Sequence, residues 1–238
     1  MTVCEGDIFG LLGANGAGKT TVIKMLTTLL GPSAGSATVA GFDIVSQAHE
    51  VRRRIGYVPQ MLSADGALTG YENLLLSARL YGVAEQRTRI EEALAFMGLS
   101  EYAGRLVKTY SGGMVRRLEI AQSMLHRPAV LFLDEPTIGL DPVARRAVWV
   151  HLKELNKDYH ITILLTTHDM EEADNLCNDV AVMHTGQIAA HGSPEALKAR
   201  VGKQATLEDV FTRFSGELEE TGRLRDTAET RSSARHRG

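Results

Sequence analysis

Cysteine is nearly absent from this chain of 238 residues: Cys4 and Cys177 are the two present, far apart and in no C-x-x-C pair. That spacing excludes a disulfide framework and a cysteine-rich zinc site, and both read as reduced thiols of the cytosol. Long apolar runs are missing too. None approaches the roughly eighteen residues needed to cross a bilayer as a helix, and no signal peptide is legible at Met1. A membrane role would therefore require a separate integral subunit. Excess positive charge is also lacking. A net charge of −3 and a pI of about 6.2 argue against a general nucleic-acid binder. Neither sustained heptads nor an internal repeat is found. The length is ample for a sizeable core.

Against these absences stands one dense motif. Residues 13–20 read Gly-Ala-Asn-Gly-Ala-Gly-Lys-Thr, matching G-x-x-x-x-G-K-[ST] in full. The glycines, Gly13, Gly16 and Gly18, let the backbone turn with its N–H groups inward, a cradle for phosphate oxygens shared by Asn15, Ala17 and Thr21. Lys19 brings a compact charge for the β/γ-phosphates, and Thr20 a hydroxyl for Mg²⁺. The apolar run Asp7–Leu12 before the motif predicts a buried parallel strand. Thr21–Leu26 after it predicts a helix whose N-terminus favours anions.

A second apolar run, Ala129–Leu133, ends in Asp134-Glu135-Pro136. Ligands of α/β folds gather at the C-terminal ends of strands. Asp134 would there meet the Mg²⁺ held by Thr20, and Glu135 would orient or deprotonate the attacking water.

Further segments carry a family resemblance. Ser111-Gly112-Gly113-Met114 resembles the signature of ABC ATPases, Gln60 their Q-loop glutamine, Gly139-Leu140-Asp141 their D-loop and His168 their switch histidine. The motifs follow in family order over about residues 5–200. The resemblance implies an α/β fold, a P-loop NTPase core of mixed sheet with an inserted α-helical subdomain and a small antiparallel β element. It implies that Gln60 and Asp134 join Thr20 at Mg²⁺, that Glu135 and His168 are catalytic, and that Ser111, Gly112 and Gly113 bind the γ-phosphate held by a partner. That arrangement is a head-to-tail homodimer, which two-fold closure permits for one chain type. Asp141 would contact the partner. As the residue before Pro142 it is equally a helix cap, and it can serve as both.

The helical subdomain is expected over about 67–125, opening with the capping box Thr69-Gly70-Tyr71-Glu72 and followed by a helix over 89–97 that stops near Gly98. By resemblance it is the docking surface for an integral membrane permease, near Gln60. Asp179–His184 and Gln187–His191 around Thr185-Gly186 read as a hairpin. Ser193-Pro194 starts a helix, and Thr206 opens another, so that 1–200 forms the ATPase domain and 201–216 a C-terminal helix. Residues 217–238, with five acids and five arginines, are expected to be disordered.

The start departs from the family. Members carry about twenty residues before the position of Glu5, supplying an outer strand and an aromatic that stacks on adenine, and Met1-Thr2-Val3-Cys4 offers neither. The expectation is weak nucleotide affinity and poor base discrimination, since stacking contributes about 1–3 kcal/mol. The Met114 signature and the Leu207-Glu208-Asp209-Val210-Phe211 ending resemble the ABC-2 type exporter branch that includes daunorubicin-resistance ATPases. The reading is a cytoplasmic ATPase, peripheral on the inner face of the membrane, with Mg²⁺ as cofactor and no nucleic acid. An importer ATPase, or a soluble ABC ATPase acting on DNA or ribosomes, are the alternatives.

Overall fold

A computed structural model describes residues 1–216. Six strands form the main sheet in the order β4-β5-β6-β1-β7-β8. They are β1 (Ile8–Leu12), β4 (Ile55–Val58), β5 (Val130–Asp134), β6 (Thr162–Thr167), β7 (Asp179–His184) and β8 (Gln187–Gly192). The first five in that order run parallel, and β8 closes the edge antiparallel to β7. The short strands β2 (Thr38–Val39) and β3 (Phe42–Asp43) pair antiparallel as a separate small sheet.

The strand sequences explain the layering. β1, Ile-Phe-Gly-Leu-Leu, is buried at every position, as a strand covered on both faces must be. Its side chains alternate between two cores. Phe9 and Leu11 join Phe132, Leu164 and Ala181 on the face covered by Ile23 of α1 (Lys19–Leu26) and Val51 of α2 (Ala48–Arg54). Ile8 and Leu12 join Leu131, Leu133, Ile163, Leu165, Val180 and Val182 on the opposite face. There they meet α5 (Gly112–Met124), α6 (Pro142–Tyr159) and α7 (Met170–Leu176).

Between β4 and β5 the chain is helical: α3 (Gly70–Leu80), α4 (Gln86–Phe96) and α5, with 3₁₀ turns at Ser100–Tyr102 and Val107–Thr109. Thr69 forms the capping box anticipated with Glu72, each satisfying an otherwise unpaired N–H of the other. α4 begins three residues earlier than the apolar pattern indicated, and Gly98, at φ +63°, turns the chain after it. The hairpin and α8 (Pro194–Val201), capped by Ser193, stand where the sequence placed them, whereas the last described helix covers 207–216 and not 201–216, since residues 202–206 form a turn and irregular chain before it. The expectation for 217–238 lies outside the described residues. No described helix is long and apolar enough to cross a membrane.

Candidate nucleotide site

β1 and α1 are joined by residues 13–18, which cross the C-terminal end of the sheet. Gly18 has φ +101° at the start of α1, a conformation costly for any side chain. Gly186 N–H of the β7–β8 turn donates to the Ala17 carbonyl at 2.9 Å, tying the loop to the hairpin. Asn15, Gly16, Ala17, Gly18, Lys19, Thr20, Thr21, Gln60 and Glu135 line a cavity of about 360 Å³. Among the described residues, none of those lining it is aromatic.

The charged groups of this cavity form one connected chain. Lys19 is 4% exposed, and its Nζ donates to the carbonyls of Gly13 at 2.7 Å and Ala14 at 3.1 Å. The same Nζ lies 3.1 Å from Glu135 Oε1. Glu135 Oε2 is 2.7 Å from Nδ1 of His168, whose ring is about half exposed. Glu135 is itself at φ +49°, an uncommon backbone for a non-glycine residue. Its N–H is held by the Thr166 hydroxyl at 3.0 Å, and a second bond runs to the Thr166 carbonyl. Parallel pairing of β5 with β6 sets Asp134 beside Thr166. Asp134 Oδ1 accepts from the Thr166 hydroxyl at 2.6 Å and from the Thr20 hydroxyl at 3.1 Å. Thr20 and Asp134, 114 residues apart, are thus brought together, and Gln60 reaches the same cavity. A hydroxyl, a carboxylate and an amide oxygen are hard donors of the kind Mg²⁺ takes, so the residues fit that ion.

Ser111, Gly112 and Gly113 start α5 away from this cavity. The Ser111 hydroxyl accepts from Met114 N–H at 3.3 Å as the helix cap. A Cβ on Gly113 would stand 2.7 Å from Ala144 Cβ of α6, so the glycine permits the two helices to approach. Asp141 caps α6, accepting from Val143 and Ala144 N–H at 2.9 Å each, which is its structural role; it is exposed.

Several residues that build this region carry no sequence signal. Thr166 is one. Glu172 is another: its Oε1 accepts from the Thr137 hydroxyl at 2.7 Å and Trp149 Nε1 at 3.0 Å, anchoring the segment that follows Glu135. Arg116 and Glu119, an ion pair at 3.0 Å, hold the backbone on either side of Gln60. Burial pushes the Arg116 guanidinium down from its usual range, opposed by the charges of Glu119 and Asp134. Their partners lie more than fifty residues away, beyond any local pattern.

The ABC transporter family model matches residues 1–138. The daunorubicin/doxorubicin resistance ATP-binding protein DrrA of Streptomyces peucetius is 45% identical over 91% of this chain and 67% of its own length. The Nod factor export ATP-binding protein I of Burkholderia thailandensis is 47% identical over 82% of this chain and 64% of its own. The chain thus spans about two thirds of the length of these curated relatives. A solved structure of a dimeric ATP-binding cassette in a post-hydrolysis state, bound to ADP and Pi, superposes with a TM-score of 0.72 at 26% identity. It covers 81% of this chain and 88% of that one. With a complete phosphate loop, an acidic strand end and these relatives, the chain belongs to the ABC transporter family, as one of its ATPase chains.

Proposed function

We propose that this chain binds Mg-ATP in the cavity around Lys19 and hydrolyses it to power a separate membrane permease of the exporter type. The observation that carries the reading is the connected chain Lys19–Glu135–His168 beside Thr20–Asp134. The N–H groups of residues 13–21 receive the phosphates, and Lys19 gives up its loop carbonyls and Glu135 to neutralise the β/γ oxygens. Thr20, Asp134 and Gln60 hold the Mg²⁺, which supplies charge neutralisation at the phosphates when bound. Glu135, once released from Lys19, accepts the proton of the attacking water. His168 keeps Glu135 oriented through Nδ1 and hydrogen-bonds the transferring phosphoryl.

The remaining assignments belong to the same reading. Residues 1–200 are the ATPase domain, 67–125 its helical subdomain, and 207–216 a C-terminal helix. Two chains close head to tail, with Ser111, Gly112 and Gly113 of each meeting the nucleotide of the other and Asp141 at the seam. The permease docks on the helical subdomain near Gln60. Support comes from large apolar side chains left in solvent next to Gln60: Met61 is 82% and Leu62 52% exposed. The chain works on the cytoplasmic side of the membrane and binds no nucleic acid. The names of the resistance and export relatives favour export over import.

The test is the solution mass of a Glu135→Gln variant by light scattering, with Mg-ATP and with ADP. Loss of the carboxylate leaves ATP bound and the pair closed, so a dimer specific to ATP is expected. A nucleotide-bound monomer would remove the head-to-tail assignment. A chain that binds no nucleotide would remove the reading of the cavity.

A further inference from the structure

About one and two turns beyond the start of α5, Arg116 and Glu119 have side chains 2% exposed each, and they face the segment that carries Gln60. Arg116 donates from Nη1 to the Pro59 carbonyl at 2.7 Å and from Nη2 to the Gln60 carbonyl at 2.8 Å. Nη1 also reaches Glu119 Oε2 at 3.0 Å. The other carboxylate oxygen, Oε1, accepts from the backbone N–H of Ser63, from that of Ala64 at 3.2 Å and from the Ser63 hydroxyl at 3.2 Å. Two side chains of one helix thereby hold two carbonyls, two N–H groups and a hydroxyl of residues 59–64. Only a planar, forked cation grips two successive carbonyls in this way.

Stability alone does not account for the arrangement. Withdrawing two charges from water costs about as much as their attraction returns, and apolar residues of similar volume often replace such a pair without loss. What an apolar pair cannot do is fix the backbone direction at Gln60. The same helix begins with Ser111, Gly112 and Gly113, within five residues of Arg116. A rigid α5 therefore joins two groups that serve different nucleotides, Gln60 its own and Ser111–Gly113 the partner's.

We propose that Arg116 and Glu119 are a positioning pair that locks Gln60 to the start of α5, so that the Mg²⁺-facing glutamine and the signature move as one unit. The proposal rests on the functional reading above. Without the pair, the phosphate loop binds ATP as before, but Gln60 no longer meets the ion in a fixed place and closure on the partner's nucleotide no longer sets it.

The experiment uses the full chain carrying Arg116→Met together with Glu119→Leu, an apolar pair of similar volume. Steady-state ATPase activity is measured against ATP and against Mg²⁺, beside a thermal melt. Expected are a cooperative melt that shows the variant folded, an unchanged KM for ATP, and a loss of about 10-fold or more in kcat with a similar rise in the half-saturating Mg²⁺, the range seen when groups behind a metal ligand are removed. A folded variant with wild-type kcat and wild-type Mg²⁺ dependence overturns the proposal. Should the double variant not fold, the same readings are taken on Arg116→Lys, which keeps the charge beside Glu119 and gives up the two-carbonyl grip. An unchanged Mg²⁺ half-saturation there overturns it equally. A wild-type chain without Mg-ATPase activity would remove the functional reading itself, whereas an active wild type beside an undisturbed variant removes the clamp alone.

Discussion

Glu172 is a carboxyl group of 1% exposure on the first turn of α7, placed there to receive Thr137 and Trp149. Burial pushes its pKa above the ordinary 4.5, although bonds from Thr167, Thr137 and Trp149 pull the other way. The sign follows from linkage. Above pH 4.5 the unfolded chain releases this proton while the folded chain retains it, so the contribution of Glu172 to stability is fully present at low pH and is lost as pH rises through its folded pKa. Glu172→Gln keeps an acceptor for Thr137 and Trp149 and removes the titration. Its Tm relative to wild type is expected to climb with pH in calorimetric scans run from acid to neutral. A difference that stays constant across the series would mean that folding leaves the Glu172 pKa unshifted. Position in the sequence says nothing of this, because Met170-Glu171-Glu172 reads as any acidic first turn. Lys19 and Thr20 were legible because each chemical role demands one residue type at one offset in a contiguous loop. Thr166 was not, since its partner Asp134 reaches it only across the β5–β6 pairing.

At the scale of elements, several helix starts were written locally, in their capping residues. Ser111, Thr69, Asp141 and Ser193 all cap as their residue type suggests, each filling an N–H that the first turn cannot satisfy. How closely the helices then pack was not written. Gly113 reads as part of a phosphate-binding signature, yet it also lets α5 lie against Ala144 of α6. Gly113→Ala places a methyl 2.7 Å from that Cβ and is expected to destabilise by about 1–3 kcal/mol, the usual cost of overpacking. Adding Ala144→Gly should recover part of the loss despite the lower helix propensity of glycine, and a denaturant series on both variants checks it. Full additivity of the two changes would show that the helices do not touch there. α4 shows the opposite limit: its apolar pattern was clear over 89–97, but its true start at Gln86 has no side-chain cap to announce it.

For the whole molecule, the helix over 207–216 is part of the main core and not an appendage. Leu207 is 2%, Val210 0% and Phe214 7% exposed, packed in the same cluster as Leu197, Ile8 and Val182. Full burial of each such side chain contributes about 1.5–3 kcal/mol. A chain ending at Gly202 is therefore expected to melt well below the full chain and to expose apolar surface that binds a hydrophobic dye. An unchanged melt would place this helix outside the cooperative unit.

The sequence by itself determined the family, and it located the glycine-rich loop, the acidic strand end, most strands of the main sheet and several capped helices. These depend on residue type at short spacing, on apolar periodicity and on capping, all of which are local. Only the tertiary structure decided that Glu135 is shared between Lys19 and His168, that Thr166 holds Asp134, and that Arg116 with Glu119 grips the backbone around Gln60. Those contacts join residues from 32 (Asp134 to Thr166) to 116 (Lys19 to Glu135) positions apart. They arise from strand order and helix packing, which fix where a side chain ends up only after distant segments have met.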